Sequence, residues 1–243
     1  MLKETYAKLL DFLFPRHCIG CGALNPKSSY SYICEDCAKS IYEKNGTRCL
    51  SCGEFVYLKD NLKSCAKCYG TKFYFSGNFC PVVYRGINAS LVKELKYRRA
   101  FYLLDDIAKI FIDYPNFQNY LKDSILVPVP LHKNRQKKRR FNQSIEIAKA
   151  IAKHTKTPII PDLLIKLKDT QTQTHLDTDM RKENIRNAFV LNEKYASLPR
   201  NSKLIIVDDV MTTGATLNEC ARTLRNHKFT NIRSMNFTKR SLI

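Results

Sequence analysis

Long apolar stretches are missing from this chain of 243 residues. None approaches the roughly 18 residues that a membrane-spanning helix needs. The nearest candidate, Leu9-Leu10-Asp11-Phe12-Leu13-Phe14, is short and carries an internal acid. No small-residue cleavage site follows it, so neither a signal peptide nor a stable membrane insertion is expected. A Gly-Lys-Ser/Thr ending is absent, which excludes a Walker loop. Acids are scarce: 22 Asp and Glu stand against 41 Lys and Arg, a formal charge of +19. That balance favours phosphate-bearing partners, nucleic acid first, although solubility accounts for part of any excess charge.

Cysteine, by contrast, is abundant. Eight of the ten cysteines fall in four Cys-x2-Cys pairs, a spacing suited to metal rather than to disulfides, and a reducing cytoplasm is the expected compartment. Cys18, Cys21, Cys34 and Cys37 recur 31 residues later as Cys49, Cys52, Cys65 and Cys68, which reads as a duplicated unit. Gly22 and Gly53 follow the first pair of each unit and suit a tight knuckle turn around the metal. Two structural zinc ions in tandem ribbons are therefore expected, with sequential and crossed pairing of the knuckles both open. The ribbons act as a scaffold or also touch DNA or protein; the spacing leaves both open. Redox chemistry lacks its usual βαβ setting here. Cys80 and Cys220 stand alone and read as buried packing residues.

Zinc also redistributes the charge. Residues 1 to 80 hold 11 Lys and Arg against 7 Asp and Glu, a net of +4, which eight thiolates and two zinc ions reduce to zero. The remaining residues hold 30 against 15, so the positive excess lies in the second part of the chain.

After about residue 80 apolar strands alternate with helical stripes. Strands are expected at 79–84, 124–130, 158–167 (interrupted by Pro161), 201–207 and 232–237, and helices at 89–97 and 142–154 and behind Thr216. This pattern predicts an α/β fold with a doubly wound, mainly parallel sheet over 79–243, behind a small zinc-ribbon module over 1–78.

The most informative stretch is Leu204-Ile205-Ile206-Val207-Asp208-Asp209-Val210-Met211-Thr212-Thr213-Gly214-Ala215-Thr216. Adjacent carboxylates at the end of a buried strand, Asp208 and Asp209, suit the vicinal hydroxyls of a ribose. Thr212, Thr213, Gly214, Ala215 and Thr216, opening a helix, form a cradle for a phosphate. A basic run from His132 to Arg140 carries Lys133, Arg135, Lys137, Lys138, Arg139 and Arg140, enough to neutralise a pyrophosphate or to track a nucleic-acid backbone; a solvated loop is the plainer alternative. Tyr97, Phe101 and Tyr102 lie among Lys96, Arg98 and Arg99, a mix that stacks bases unless these rings are core.

The strand-acid-threonine stretch is similar to the phosphoribosyl pyrophosphate motif of type I phosphoribosyltransferases. Val127-Pro128-Val129-Pro130-Leu131, Arg139-Arg140-Phe141-Asn142-Gln143 and Thr170 to Gln173, leading through Leu176, Arg181, Asn184 and Ile185 to Ala188-Phe189, narrow the resemblance to the ComF (ComFC) family of competence proteins. The family usually has glycine where Arg140 stands, so this turn is expected to depart from the family path if that glycine takes a positive φ. The resemblance implies a type I phosphoribosyltransferase fold and a cytoplasmic role in natural transformation, handling or importing single-stranded DNA. A competence helicase and a recombination mediator are implied partners. Asp208 and Asp209 would hold ribose, residues 212–216 the 5-phosphate, and Lys133, Arg135, Arg139 and Arg140 the pyrophosphate or DNA. Magnesium would accompany phosphoribosyl pyrophosphate, and residues 168–186 would form a mobile cover; His175 within it is a general-acid candidate or, more plainly, an incidental loop histidine. A catalytically active phosphoribosyltransferase on an unknown acceptor is the alternative; a protein adaptor built on the ribbons is a weaker one.

Overall fold

The computed structural model describes residues 13–24, 27–43, 47–56, 65–66, 68, 70–169 and 183–240. In the cysteine-rich front a short helix, α1 (Glu35–Ala38), precedes an antiparallel pair, β1 (Thr47–Arg48) and β2 (Phe55–Val56). The rest of the chain runs β3 (Asn78–Phe79), β4 (Val82–Val83), α2 (Gly86–Lys93), a π-helical turn (Glu94–Arg98), α3 (Leu104–Ile112), α4 (Phe117–Leu121) and β5 (Ser124–Pro128). It continues through α5 (Lys133–Arg139), α6 (Gln143–Thr155), β6 (Leu164–Lys166), β7 (Phe189–Leu191), β8 (Lys203–Met211), α7 (Ala215–Asn226) and β9 (Asn231–Lys239).

The main sheet is parallel throughout. β9 lies between β8 and the edge formed by β3 and β4, and β5 pairs with the far side of β8. Parallel strands need crossovers, and the helices that supply them cover both faces. The apolar run of β8 shows why. Ile205 and Val207 point into a core shared with Ile107 and Phe111 of α3 and Ile147 and Ile151 of α6. Leu204 and Ile206 point the opposite way, into a core with Leu217, Ala221 and Leu224 of α7. A strand buried on both faces loses the apolar–polar alternation and reads as a continuous hydrophobic run.

Several expected elements take altered bounds. The strand expected at 79–84 is split into β3 and β4 around Cys80 and Pro81, both pairing with β9, because proline has no N–H to give the ladder. The segment 158–167 divides around Pro161: Ile159 bridges Leu126 and extends the main sheet, whereas β6 pairs antiparallel with β7 in a separate small sheet. β8 continues four residues past Val207, carrying both acids within the strand. On α6 the buried stripe is Ser144, Ile147, Ala148 and Ile151, and Ile145 is only half-buried. The basic run expected as a loop is largely the helix α5.

The cysteine-rich front is tied to both cores. Ile33 and Ile41 join the core beneath α2 and α3, while Cys49, Cys52, Cys65, Cys68 and Phe75 join the α7 side. Asp106 of α3 accepts hydrogen bonds from Ser31 N and Tyr32 N, each at 2.7 Å. Asn78 N donates to Leu50 O at 2.9 Å, and Tyr74 N donates to Asn218 Oδ1 of α7 at 2.7 Å. Among the described residues no helix is long and apolar enough to cross a membrane.

Candidate functional site

Two clusters of four thiols form within the front. The sulfur atoms of Cys18, Cys21, Cys34 and Cys37 lie within 4.8 Å of one another, as do those of Cys49, Cys52, Cys65 and Cys68, so the knuckles associate sequentially rather than crosswise. Cys21 Sγ and Cys34 Sγ are 3.7 Å apart, and Cys52 Sγ and Cys65 Sγ repeat the distance. A tetrahedron with zinc–sulfur bonds of about 2.3 Å has sulfur–sulfur edges of about 3.8 Å, so both cages fit zinc. Backbone donors complete the knuckles: Cys34 N points to Cys18 Sγ at 3.3 Å and Cys65 N to Cys49 Sγ at 3.2 Å. Such bonds stabilise thiolates, and the left-handed Gly22 and Gly53 close the first knuckle of each unit, donating N–H to Cys18 O and Cys49 O at 2.8 Å. The cages differ in exposure, since all four cysteines of the second are buried whereas Cys21 is exposed and Cys34 and Cys37 are half-buried.

The second site stands at the C-terminal end of β8, the end of a parallel sheet where ligand crevices form. Asp208 Oδ1 accepts from Ser144 Oγ at 3.0 Å and from Asp209 N at 2.9 Å. Burial, and secondarily the neighbouring Asp209, pushes the Asp208 carboxyl up to about 7. Asp209 Oδ2 lies 2.9 Å from Lys96 Nζ. Burial pulls that ammonium down, but the Asp209 carboxylate outweighs it and holds the lysine above its ordinary value. Beyond the acids, Lys239 Nζ donates to Thr212 O. Gly214 is left-handed at φ +81, a backbone conformation that favours glycine, whereas a Cβ there would meet chiefly the flexible tip of Met211. Gly214 opens α7 without a side chain of its own to cap the helix, and Thr213 Oγ1 accepts from Ala215 N at 3.3 Å. The turn thus presents first-turn N–H groups beside the half-buried hydroxyl residues Thr212, Thr213 and Thr216, an arrangement suited to an anion.

A basic cleft of about 370 Å³ adjoins these acids through Lys96. Its walls are Lys96, Tyr97, Arg99, Arg135, Lys138, Arg139 and Phe141. Of the four cations expected here, Arg135 and Arg139 line the cleft, whereas Lys133 and Arg140 are exposed outside it. Arg140 takes φ 62 and closes α5 in the left-handed region, so the conformation natural to glycine is adopted here by an arginine. The aromatic residues are surface groups and not core: Tyr97 is 77% exposed and Tyr102 53%. Phe101 packs edge-on against Phe141 with centroids 5.0 Å apart.

Three partners of the acids were not assigned from the sequence. Lys96 was visible only as part of a basic-aromatic run, and Ser144 gave no signal beyond its place in the first turn of α6. Lys166 is a lysine interrupting an apolar strand; burial, then Arg135, pulls its ammonium below the ordinary value, and Asp208 opposes that shift. His175, Thr170 to Gln173, Leu176 and Arg181 lie outside the described residues, as does most of the expected cover at 168–186.

Known proteins match this arrangement. The double zinc ribbon domain family matches residues 9–69, and the phosphoribosyl transferase domain family matches residues 98–241. The chain is similar to competence protein F of Haemophilus influenzae, 27% identical over 87% of this chain and 92% of that protein. It is also similar to competence protein ComFC of Bacillus subtilis, 24% identical over 79% of this chain and 77% of that protein. DNA utilization protein YhgH of Salmonella typhimurium is 32% identical over 55% of this chain and 59% of that protein.

Proposed function

Because the chain belongs to the phosphoribosyl transferase domain family and carries in front of it a double zinc ribbon, the arrangement of ComF and ComFC competence proteins, we propose that it handles single-stranded DNA in natural transformation and binds phosphoribosyl pyrophosphate or a related ribose phosphate. The observation that carries this reading is the continuity of three features. Paired carboxylates at Asp208 and Asp209 run into a helix start opened by glycine and lined with threonines, and a basic-aromatic cleft borders the acids.

In this reading Asp208 and Asp209 accept hydrogen bonds from the ribose hydroxyls, with Ser144 fixing Asp208. The N–H groups and hydroxyls of residues 212–216 surround the 5-phosphate. Arg135, Arg139 and Lys138 neutralise further phosphates, from a pyrophosphate or from a DNA backbone, and Tyr97 offers a ring for an unpaired base. Magnesium would arrive with the ligand and would offset charge on the diphosphate, with Asp208 and Asp209 the acids nearest to it. The zinc ribbons act first as scaffold, since their residues enter both cores.

Calorimetry with phosphoribosyl pyrophosphate and magnesium, repeated with single-stranded DNA present, tests the reading. Saturable binding that Asp208→Asn and Gly214→Ala abolish is expected, and absence of any sugar-phosphate affinity overturns it. DNA affinity should fall steeply with salt as counterions are released; a flat response counts against the cleft. A second reading, phosphoribosyl transfer to an acceptor, is favoured by Lys166, which lies within electrostatic reach of both Asp208 and Arg135 and would stabilise a departing pyrophosphate. Pyrophosphate release with a panel of bases, or with DNA, separates transfer from binding alone.

A further inference from the structure

Lys96 belongs to two sites at once. Its ammonium nitrogen is 2.9 Å from Asp209 Oδ2, with only 22% of the lysine side chain and 12% of the aspartate side chain exposed. The same residue lines the basic cleft beside Arg99, Arg135, Lys138 and Arg139. It feels opposing fields, attracted by Asp208 and Asp209 and repelled by Arg139. Its backbone is also unusual. The helix α2 widens into a π turn over Glu94–Arg98, and the next residue, Arg99, is left-handed at φ 55. A π turn is an inserted residue in helical register, and such turns concentrate at functional positions. Here it sets Lys96 toward the acids and leaves Tyr97 on the cleft.

A carboxylate oxygen has two acceptor sites, so a sugar hydroxyl displaces Lys96 from Asp209 Oδ2 where it takes the site that faces the ammonium. A shielded ammonium does not stay unpaired once its partner is taken, since an uncompensated buried charge is costly. The cleft offers the replacement partner, provided a phosphate occupies it. We propose that Lys96 is a partner-switching residue that pairs with Asp209 when the site is empty and turns to a phosphate in the cleft when ribose hydroxyls take Asp209. The proposal rests on the reading of Asp208 and Asp209 as ribose acceptors. Its consequence is positive coupling: a sugar phosphate releases Lys96 to the cleft and strengthens binding of a polyanion, and the polyanion strengthens the sugar phosphate by the same factor. Coupling of this kind is commonly about 5- to 150-fold, and roughly tenfold is expected for one relocated charge.

The test uses the full zinc-loaded chain, a labelled oligothymidylate without terminal phosphates, and ribose 5-phosphate, which carries no pyrophosphate. Anisotropy gives the oligonucleotide affinity with and without saturating ribose 5-phosphate, and calorimetry gives the reciprocal measurement. A roughly tenfold tightening in both directions is expected in the wild type, and less than twofold in Lys96→Met. Phosphoribosyl pyrophosphate in place of ribose 5-phosphate identifies the source of the cleft phosphate. Tightening assigns the cleft to the strand and competition assigns it to the pyrophosphate; both support the switch when Lys96→Met removes the effect. Independent binding of the two ligands to the wild type overturns the switch alone and needs no variant. Failure of the wild type to bind ribose 5-phosphate overturns the ribose reading and the switch together.

Discussion

Asp208→Asn should make the protein more stable while removing the sugar-phosphate affinity proposed for it. In the folded chain burial raises the Asp208 carboxyl from 3.8 to about 7. The folded state therefore binds a proton that the unfolded state has already released between those values, and stability falls as pH rises through that window. At about 1.4 kcal/mol per pKa unit, holding this carboxylate ionised above pH 7 costs at most about 4 kcal/mol. Asparagine keeps the acceptor oxygen for Ser144 Oγ and Asp209 N but carries no charge. Its advantage over the wild type should be about 2 kcal/mol at a pH of about 5.5, rise to about 4 kcal/mol near pH 7 and then level off. Lower pH is avoided because protonated thiols release zinc. The chain has no tryptophan, so urea unfolding is followed by far-UV circular dichroism. A difference that does not change with pH, or an asparagine variant less stable than the wild type across the window, refutes the argument that Asp208 is held against its own desolvation. A site that is destabilising when empty is the expected mark of a residue kept for a ligand.

Other perturbations address the rest of the molecule. Arg140→Gly relieves a left-handed arginine at φ 62, offset by the greater freedom of glycine in the unfolded chain, and should raise stability by up to about 1 kcal/mol in urea unfolding; a clear loss contradicts it. Chelator with a thiol reagent should release the thiols in two phases, four quickly from Cys18, Cys21, Cys34 and Cys37 and four slowly from the buried second set, whereas one phase of eight denies the difference. Asp106→Ala strands the amides of Ser31 and Tyr32 at a cost of about 2 kcal/mol, so exchange of those two amides should accelerate by roughly 30-fold while those of β8 do not. Equal acceleration throughout would mean that the first ribbon does not open independently.

The features legible along the chain are those whose chemistry lies within a short window. A zinc knuckle needs two cysteines three residues apart and a glycine turn, and the thirteen residues from Leu204 to Thr216 contain a buried strand, two acids and a helix start suited to an anion. The continuous apolar run of β8 also announced a sheet covered on both faces. Less legible were elements whose bounds depend on pairing: β8 extends past its acids because β9 continues beside it through Met211 and Lys239, a partner that no local pattern reveals.

What the linear order of residues determined by itself, then, was the inventory of groups suited to metal, sugar and phosphate, because each is specified by neighbours along the backbone. Tertiary structure decided which distant groups meet them. It gave Ser144 to Asp208 across 64 residues, set Lys96 against Asp209, left Tyr97 in solvent and put Arg140 in a glycine's conformation. Those outcomes follow from how helices pack at the end of a sheet, where distance in space is unrelated to distance in sequence.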